Sequence, residues 1–304
     1  RVASGDGGVS GGDGARRLTV AAARIEPGAF RLGTDRPKIP EDGEGPSRRA
    51  EITRAFLMDV YETTNDEFRA FVDETGYVTD SEAFGWSFVF HLELRDDQLA
   101  SINTAVKDVE WWLPVNGSTW RNPTGPGSDV FTEGRGGHPV VQVSWNDADA
   151  YCKWRGAYLP TEAQWEFAAR DGLAAKLYPW GNELRPGGVF RANLWQGDFP
   201  ATNTKEDGWA FVAPAGSYPA QTSTGLHDMI GNVWEWVADW HGARGDVLRD
   251  PTGPASGTER LKKGGSFLCH KSYCYRYRSA ARHKNTPDSA TSNNGFRCAA
   301  DAVD

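Results

Sequence analysis

Three segments of the chain combine a helix-capping pair with apolar residues at helical spacing. The pairs are Thr64 with Glu67, Ser144 with Asp147, and Thr161 with Gln164. The apolar positions that share a face are Phe68, Phe71 and Val72, then Ala148, Tyr151 and Cys152, then Trp165, Ala168 and Ala169. Gly76 and Gly156 are natural stops for the first two segments. The pattern predicts three helices that each bury one face.

The remaining pattern is typical of short strands and long loops. Residues 54–62 (RAFLMDVYE) and 138–145 (HPVVQVSW) are apolar runs that predict strands. Gly, Pro and Asn clusters occupy most of residues 110–137 and 171–225, which indicates loops. Residues 1–17 are rich in Gly and Asp with little to bury, so we expect a flexible leader there and one folded domain over residues 18–304.

Composition indicates a core built from large rings. Apolar residues make up only 39% of the chain, but 13 Trp, 14 Phe and 35 Gly suit a loop-rich fold packed around aromatic side chains. The net charge of -8 argues against general nucleic-acid binding. No apolar run reaches the roughly 18 residues of a membrane span, and the sequence shows no signal peptide.

The segment CHKSYC, residues 269–274, holds two of the four cysteines. Positions five apart on a helix point about 140° away from each other, so the two thiols can converge only across a bend or loop. Soft thiolates favour Cu(I) or zinc, and two ligands are too few for a closed structural zinc site, which makes copper the favoured metal. A disulfide, or two inert thiols in the core, is also compatible with the spacing and stays open.

These thiols lie in a basic stretch that has no acidic residue. Residues 262–284 contain no Asp or Glu, and their Lys and Arg side chains are Lys262, Lys263, Lys271, Arg276, Arg278, Arg282 and Lys284. Local positive charge favours the thiolate, which is the reactive and metal-binding form of cysteine. The stretch therefore favours reactive thiols.

A long set of motifs resembles a known family. The run at residues 262–301, KKGGSFLCHKSYCYRYRSAARHKNTPDSATSNNGFRCAAD, is similar to the C-terminal signature of formylglycine-generating enzymes, the sulfatase-modifying factor family. The similarity continues upstream through EDGEGP, HPVVQVSWNDADAYCKW, LPTEAQWEFAAR, ANLWQGDFPATNTKEDGW and GNVWEW. It implies an α+β fold, a loop-rich variant of the C-type-lectin fold.

The resemblance also implies an activity. Members of the family convert the cysteine of a sulfatase Cys-X-Pro-X-Arg segment into formylglycine with O2 and Cu(I), and an unfolded sulfatase chain is the partner. Cys269 and Cys274 would hold the copper, with the substrate thiolate as a further ligand. Hydrogen removal from the substrate Cβ, then hydrolysis, would give the aldehyde and release sulfide. Ser266 and Trp234 would lie beside the copper and the oxygen, although an isolated Trp is more often a core residue.

Other activities known for this fold fit the sequence less well. A binding-only paralogue lacks the cysteine pair that this chain carries at Cys269 and Cys274. An iron-dependent sulfoxide synthase needs an additional domain with a His-rich triad, which the sequence does not contain. Both are therefore alternatives to a copper-dependent oxidase.

Two oxygen-rich segments are implied calcium sites. The first would use side-chain oxygens of Asn193 and Asp207 with carbonyls of Leu194 and Trp209. The second would use Asp228 and Glu235 with carbonyls of Gly231 and Val233; the vertebrate pattern has Asn at the position of Asp228. From spacing alone, ordinary Asx-turns are the favoured explanation of these residues, and the resemblance reverses that preference. Both ions would be structural.

The other two cysteines are predicted to lie in the core, Cys152 on a helical face and Cys298 after GFR. In eukaryotic members of the family the matching cysteines are bridged, which implies a Cys152–Cys298 disulfide; two reduced core thiols are the alternative. A second bridge of those members is absent here, because its positions are Ala168 and Ser279. The eukaryotic-like motifs suggest the lumen of the endoplasmic reticulum, where disulfides persist, and a bacterial cytoplasmic enzyme is the alternative.

Overall fold

The helices begin at the capping pairs that the sequence contains. The computed structural model describes residues 19–243, 245 and 248–303, so the predicted leader at residues 1–17 lies outside the described part. Its helices are α1 (Asn65–Thr75), α2 (Asp80–Phe84), α3 (Asp96–Ser101), α4 (Trp145–Trp154) and α5 (Glu162–Arg170). The amides of Thr64, Ser144 and Thr161 each donate to the side chain three residues later, at 2.8, 2.8 and 2.9 Å. The three predicted helices α1, α4 and α5 are confirmed.

Two short helices were not predicted. The helix α2 also starts at a capping box. The Thr79 side chain accepts from the Glu82 amide, and the Glu82 side chain accepts from the Thr79 amide. With five and six residues, α2 and α3 are too short to display a helical repeat of apolar positions. The capping box alone was the available signal for α2.

Eleven strands form four small sheets in the described part of the chain. The strands are β1 (Ala22–Ile25), β2 (Gly28–Leu32), β3 (Arg48–Ile52), β4 (Phe56–Asp59), β5 (Trp86–Phe90), β6 (Trp112–Asn116), β7 (Trp234–Trp240), β8 (Arg260–Lys263), β9 (His283–Asn285), β10 (Asn294–Phe296) and β11 (Ala299–Asp301). Their orders are β1-β4-β11, β10-β7-β8-β9, β2-β3 and β5-β6. Only the β10-β7 pair among them is parallel.

One of the two predicted strands is confirmed and the other is wrong. Residues 54–62 contain β4, which pairs with β1 and β11. Residues 138–145 form no strand, and their one bridge joins Pro139 to Thr64. Val140 and Val143 are fully buried, while the amides of Val140 and Gln142 donate to the carbonyls of Thr63 and Thr291 in loops. The apolar run therefore reflects burial within loops, which a period of two cannot distinguish from a strand.

The core is built around aromatic rings, as composition predicts. Trp120, Trp165 and Trp236 are among the largest fully buried side chains. The mixed α+β architecture expected for the chain is present, with β7 at the centre of the four-stranded sheet and long loops over residues 171–225. Among the described residues, no helix has the length and apolar character needed to cross a membrane.

A disulfide joins α4 to the C-terminal strands. Cys152 and Cys298 are bonded, with their Cα atoms 5.7 Å apart, and both side chains are fully buried beside Phe296 and Trp236. The bond closes a loop of 146 residues in sequence separation. Ala168 and Ser279, at the two positions where the resemblance led us to expect no second bridge, are both buried and carry no sulfur. Two disulfides are present among the described residues. The Cys152–Cys298 bond joins distant parts of the chain, whereas the Cys269–Cys274 bond lies within the CHKSYC segment.

We expect the double variant Cys152→Ala, Cys298→Ala to lose stability. Chain entropy for a loop of this length predicts a decrease of up to about 5 kcal/mol in the free energy of unfolding. Urea titration followed by fluorescence measures it. In a reductant strong enough to open the bond, variant and wild type should unfold at nearly the same urea concentration. A large gap that persists there would mean that packing, and not the bond, is responsible.

Candidate active site

The CHKSYC segment is a series of tight turns that bring its two thiols together. The Cys269 amide donates to the Ser266 carbonyl at 2.8 Å, and the Cys274 amide donates to the His270 carbonyl at 2.7 Å. The Cα atoms of Cys269 and Cys274 are 4.7 Å apart, their sulfurs are joined as a disulfide, and the residues are 1% and 6% exposed. The segment is not helical, as convergence at this spacing requires.

Two glycines allow the chain to turn from β8 into the cysteine loop. Gly264 and Gly265 have φ angles of 89° and 76°, a region that side chains rarely adopt. A Cβ atom on Gly264 would lie 2.7 Å from the carbonyl oxygen of Met229, and one on Gly265 would lie 3.0 Å from Tyr277. The close backbone approach leaves no room for a side chain, so this glycine pair sets where the cysteines are placed.

The cysteine pair lies on the wall of a cavity of about 340 Å³. Ser266 and Trp234 line the same cavity, so the structure brings together the four residues that the resemblance assigns to the reaction. The Trp234 residue is 3% exposed, and its ring lies 5.2 Å from the His283 ring. A space of this size accepts a side chain and several water molecules but not a folded protein segment.

Ser266 is held by a short relay of polar side chains. Its Oγ accepts from Asn293 Nδ2 at 2.9 Å and from the Leu268 amide at 3.4 Å, and Asn293 Oδ1 in turn accepts from Thr291 Oγ1 at 2.7 Å. Because Ser266 Oγ accepts both bonds, its own proton is left to donate elsewhere. Asn293 and Thr291 also line the cavity and were not identified from the sequence.

Most of the basic stretch is neutralised by acids that lie outside it, all but Glu259 in distant segments, which corrects the expected local positive charge. The ion pairs are Lys263 with Glu166 (3.1 Å) and Glu162 (3.6 Å), Arg276 with Asp42 (2.5 Å), Arg278 with Glu44 (2.6 Å), Arg282 with Glu162 (2.8 Å) and Lys284 with Glu259 (2.6 Å). Lys262 has no carboxylate partner among the residues described. The stretch is therefore mainly a set of structural ion pairs around one buried lysine.

The first predicted calcium segment is assembled around Asp207. Its carboxylate accepts from the Leu194 amide at 3.3 Å and from the Trp209 amide at 3.1 Å. Asn193 donates both amide protons, to the Phe211 carbonyl at 2.8 Å and to Asn232 at 3.0 Å, so its Oδ1 is the atom available to a ligand. The residues lie close enough to supply hard oxygen donors together, which suits calcium.

The second predicted calcium segment contains more negative charge than the sequence indicated. Glu62 is fully buried there and accepts from the Val233 amide at 3.1 Å and from Asn232 Nδ2 at 2.6 Å. Burial, and then the charges of Asp228 and Glu235, raise the pKa of Glu62 well above its ordinary value. Burial also raises the pKa of Asp228 to about 6. The sequence missed Glu62, which comes from a distant loop.

One arginine faces these three carboxylates. Arg297 is fully buried and donates to Glu235 from Nη2 at 2.7 Å and from Nε at 2.8 Å. A single guanidinium pairs with one of the three acids, and burial raises the pKa values of Glu62 and Asp228, neither of which has such a partner among the described residues. A divalent cation bound beside them would favour their ionised forms. No three His, Cys, Asp or Glu side chains among the described residues form a ready cage, so any such ion needs backbone carbonyls as well.

Comparison with known proteins identifies the family. The model of the sulfatase-modifying factor enzyme 1-like domain matches residues 14–302. The chain is 54% identical over 281 residues to the formylglycine-generating enzyme of Bos taurus, covering 91% of this chain and 74% of that one. It is 52% identical over 295 residues to the formylglycine-generating enzyme of Thermomonospora curvata, covering 95% and 96%. The chain belongs to the sulfatase-modifying factor family.

A solved structure supports the fold of this family. PvdO from Pseudomonas aeruginosa superposes with a TM-score of 0.66 at 23% sequence identity, covering 92% of this chain and 94% of that one. The relatives of this sulfatase-modifying factor domain include both mammalian and bacterial proteins at nearly equal identity. Identity alone therefore does not assign the chain to either group.

Asn232 links the parts of the site, and we expect Asn232→Ala to destabilise the protein strongly. The substitution removes bonds to Asn193 and Ala213 and leaves the buried Glu62 oxygen without its Nδ2 donor. Loss of several buried bonds predicts a decrease of about 3 kcal/mol or more in the free energy of unfolding. Thermal and urea unfolding measure it.

Asn146→Ala is the matched control for this prediction. Asn146 donates one exposed bond to Asp80 at 3.0 Å, so its loss should change stability by less than about 1 kcal/mol. Equal effects of the two substitutions would contradict the linking role of Asn232.

Proposed function

We propose that this chain is a copper-dependent oxidase that converts the cysteine of a sulfatase Cys-X-Pro-X-Arg segment into formylglycine with O2. The observation that carries the proposal is the pair Cys269 and Cys274 on the wall of a cavity that also presents Ser266 and Trp234. The family relatives named formylglycine-generating enzyme support the substrate class. An unfolded sulfatase chain is the proposed partner, since the cavity accepts a side chain of a flexible segment.

The donor set fits monovalent copper. Two adjacent thiolates are soft ligands that Cu(I) prefers, and a two-ligand arrangement leaves room for a substrate thiolate. Cys269 and Cys274 would hold the ion once their disulfide is reduced. When bound, copper would supply the electron-transfer chemistry with O2 that amino-acid side chains do not provide.

The chain's own residues bind and orient the substrate. Trp234 supplies an apolar wall that limits water around the reacting carbon. The relay from Thr291 through Asn293 holds Ser266 so that its hydroxyl proton can donate to an oxygen atom in the cavity. The aromatic contact of Tyr273 with Phe199, at 4.2 Å between ring centroids, closes the neighbouring side of the cysteine loop. These residues position the substrate cysteine beside the thiol pair.

We propose two structural calcium ions next to this site. Asn193, Leu194, Asp207 and Trp209 would hold one, and Asp228, Gly231, Val233 and Glu235 the other, with Glu62 adding charge near the second. The Asn232 amide donates to the Asn193 carbonyl at 3.0 Å, so the two segments are adjacent. Fixing them would stabilise the loop that carries the cysteines, because the Asn232 carbonyl accepts from the Phe267 amide at 2.8 Å.

The lumen of the endoplasmic reticulum is the proposed location. The Cys152–Cys298 disulfide supports an oxidising compartment. The state of this bond in protein taken from its own cells with thiols blocked is the relevant measurement. Free thiols at both positions would favour a reducing cytoplasm.

Reduced protein loaded with Cu(I) should convert a Cys-X-Pro-X-Arg peptide into its aldehyde under air. Mass spectrometry with hydrazine trapping measures the product. Cys269→Ser and Cys274→Ser should each weaken Cu(I) binding by well over tenfold, more than about 1.4 kcal/mol, because a hydroxyl is a hard and poor ligand for this ion.

The Cys152→Ala, Cys298→Ala variant is the control for this experiment, since it also lacks two sulfurs but should bind copper normally at temperatures where it is folded. Peptide that binds to fully copper-loaded protein without gaining an aldehyde would favour the binding-only paralogue. Copper affinity that is unchanged in both serine variants would refute the metal site.

Calcium should raise the melting temperature of the wild type relative to chelator. An ion at a hundred times its dissociation constant stabilises by about 2.7 kcal/mol per site. Asn193→Ala should reduce the difference between calcium and chelator, whatever its effect on stability in chelator alone. Differential scanning calorimetry with elemental analysis measures both. Equal melting in calcium and chelator, with no bound calcium, would return these segments to ordinary turns.

A further inference from the structure

One row of side chains crosses the central sheet, and two of its members line the candidate active-site cavity. In the register of β10, β7, β8 and β9, Trp236 is opposite Lys262, and Lys262 is opposite His283. Residues directly opposite each other in a sheet point to the same face. Lys262 and His283 both line the cavity that contains Cys269 and Cys274. The sheet therefore places a lysine and a histidine beside the thiol pair.

Two consecutive lysines of β8 have opposite environments. Successive residues of a strand point to opposite faces, and Lys263 accordingly lies on the other side of the sheet in ion pairs with Glu162 and Glu166. Lys262 is 4% exposed and donates from Nζ to Asn294 Oδ1 at 3.0 Å. Among the residues described, no carboxylate pairs with it. A buried lysine without an acid is costly as a cation.

With Cys269 and Cys274 joined as a disulfide, the surroundings of Lys262 disfavour its protonated form. Arg276, whose guanidinium is paired with Asp42, faces it from the cysteine loop and His283 faces it from β9, and the cavity lining includes neither Asp nor Glu among the described residues. Burial, and then the Arg276 charge, lower the pKa of Lys262 to about 7. Burial, and then the Lys262 charge, lower the pKa of His283 well below its ordinary value. Lys262 is therefore the stronger of the two bases in the cavity.

The cavity suits a ligand that becomes negative on binding. The described lining contains the bases Lys262 and His283 and no acid, so a cysteine thiolate formed there would be stabilised by the proton that it transfers to one of them. The arginine of a Cys-X-Pro-X-Arg segment would find no acid among these residues and must lie outside the cavity. A thiol must lose its proton to become a metal ligand or a nucleophile. The described lining offers no carboxylate to accept that proton.

We propose that Lys262 accepts the proton of the substrate cysteine when the peptide enters the cavity. The thiol S–H bond breaks with its electron pair left on sulfur, and a new N–H bond forms on the Lys262 lone pair, so no oxidant or reductant is needed. The resulting ammonium lies 5.3 Å from the Trp234 ring and 5.7 Å from the Trp236 ring, whose faces stabilise a cation. The inference rests on the proposed function, because it requires a cysteine substrate.

Transfer to an amine of this basicity is unfavourable in isolation, because an ordinary cysteine has a pKa of about 8.5. The product is an ion pair in a buried site, where opposite charges attract strongly, and this attraction offsets the difference. The side-chain Oδ1 of Asn294 can accept from the neutral amine and from the ammonium, so it orients Lys262 before and after the proton transfer.

Proton counting during anaerobic peptide binding tests the proposal. Reduced, Cu(I)-loaded protein is titrated with the peptide by calorimetry at about pH 8 in two buffers that differ in ionisation enthalpy. In the wild type the thiol proton should remain in the complex on Lys262, with little release to the buffer. In Lys262→Met, peptide bound as thiolate should release about one proton. Lys284→Met, on the neighbouring strand, is the matched surface control and should resemble the wild type.

The pH series gives a second readout, whose first part uses the wild type alone. Below about pH 7 Lys262 is already protonated, so wild-type binding should begin to release the thiol proton to the buffer as the pH falls from 8 to 6. Lys262→Arg keeps a cation that cannot accept a proton, and should release a proton at all these pH values. In Lys262→Met the rise of kcat/KM with pH should move up toward the pKa of the free thiol, about 8.5.

Equal proton release by the wild type and Lys262→Met at pH 8, with both binding peptide, would overturn the assignment. Unchanged release in Lys262→Met together with altered release in His283→Gln would assign the proton to the histidine instead. If Lys262→Met does not fold, the wild-type pH series and Lys262→Arg decide. A wild type that converts peptide but releases its proton at pH 8 refutes only this inference, whereas a wild type that neither binds nor converts peptide refutes the proposed function.

Discussion

The hydrogen bonds of one buried asparagine hold the site together. Asn232 is 1% exposed and adopts a φ of 56°, a left-handed conformation that Asn tolerates better than most residues. Its side chain accepts from the Ala213 amide at 2.9 Å and from Asn193, and donates to Glu62. Its backbone amide donates to Asn193, and its carbonyl accepts from Phe267. Four loops that have little regular structure are thereby fixed to the start of β7.

Charge is separated across the central sheet that these loops surround. On one side, Lys263 and Arg297 are buried in ion pairs with acids. On the other side, Lys262 faces a cavity whose described lining contains no acid. Burying an ion pair costs desolvation, which is offset only when good geometry and hydrogen bonds satisfy both partners, and the first side provides such bonds to Lys263 and Arg297. The second side keeps an uncompensated base where a substrate can bind, and this difference between adjacent lysines is a consequence of strand alternation.

Local sequence signals predicted the elements whose cause is local. The capping boxes at Thr64, Ser144 and Thr161 each specify a helix start through contacts within four residues. The run at residues 138–145 misled because burial by surrounding loops produces the same apolar composition as a strand. The prediction from the basic stretch was wrong for the opposite reason, since most of the acids that neutralise it come from segments far away in the chain. The cysteine spacing indicated that a bend was needed to bring the two thiols together. It did not indicate whether they would form a disulfide, bind a metal or face solvent.

The sequence by itself determined the family, the helix starts and the residues able to carry out soft-metal chemistry, because these depend on residue type and short spacing. Only the tertiary structure decided which of those residues share a cavity, because Trp234, Lys262 and Cys269 come from a strand, its neighbour and a loop. It alone placed Glu62 and Arg297 with Asp228 and Glu235, since the separation between Glu62 and Arg297 exceeds any local pattern. Ion pairs and cavity walls depend on distances in space between residues that are far apart in the chain. Those distances are set only when the strands pair and the loops pack, so short sequence spacing does not reveal them.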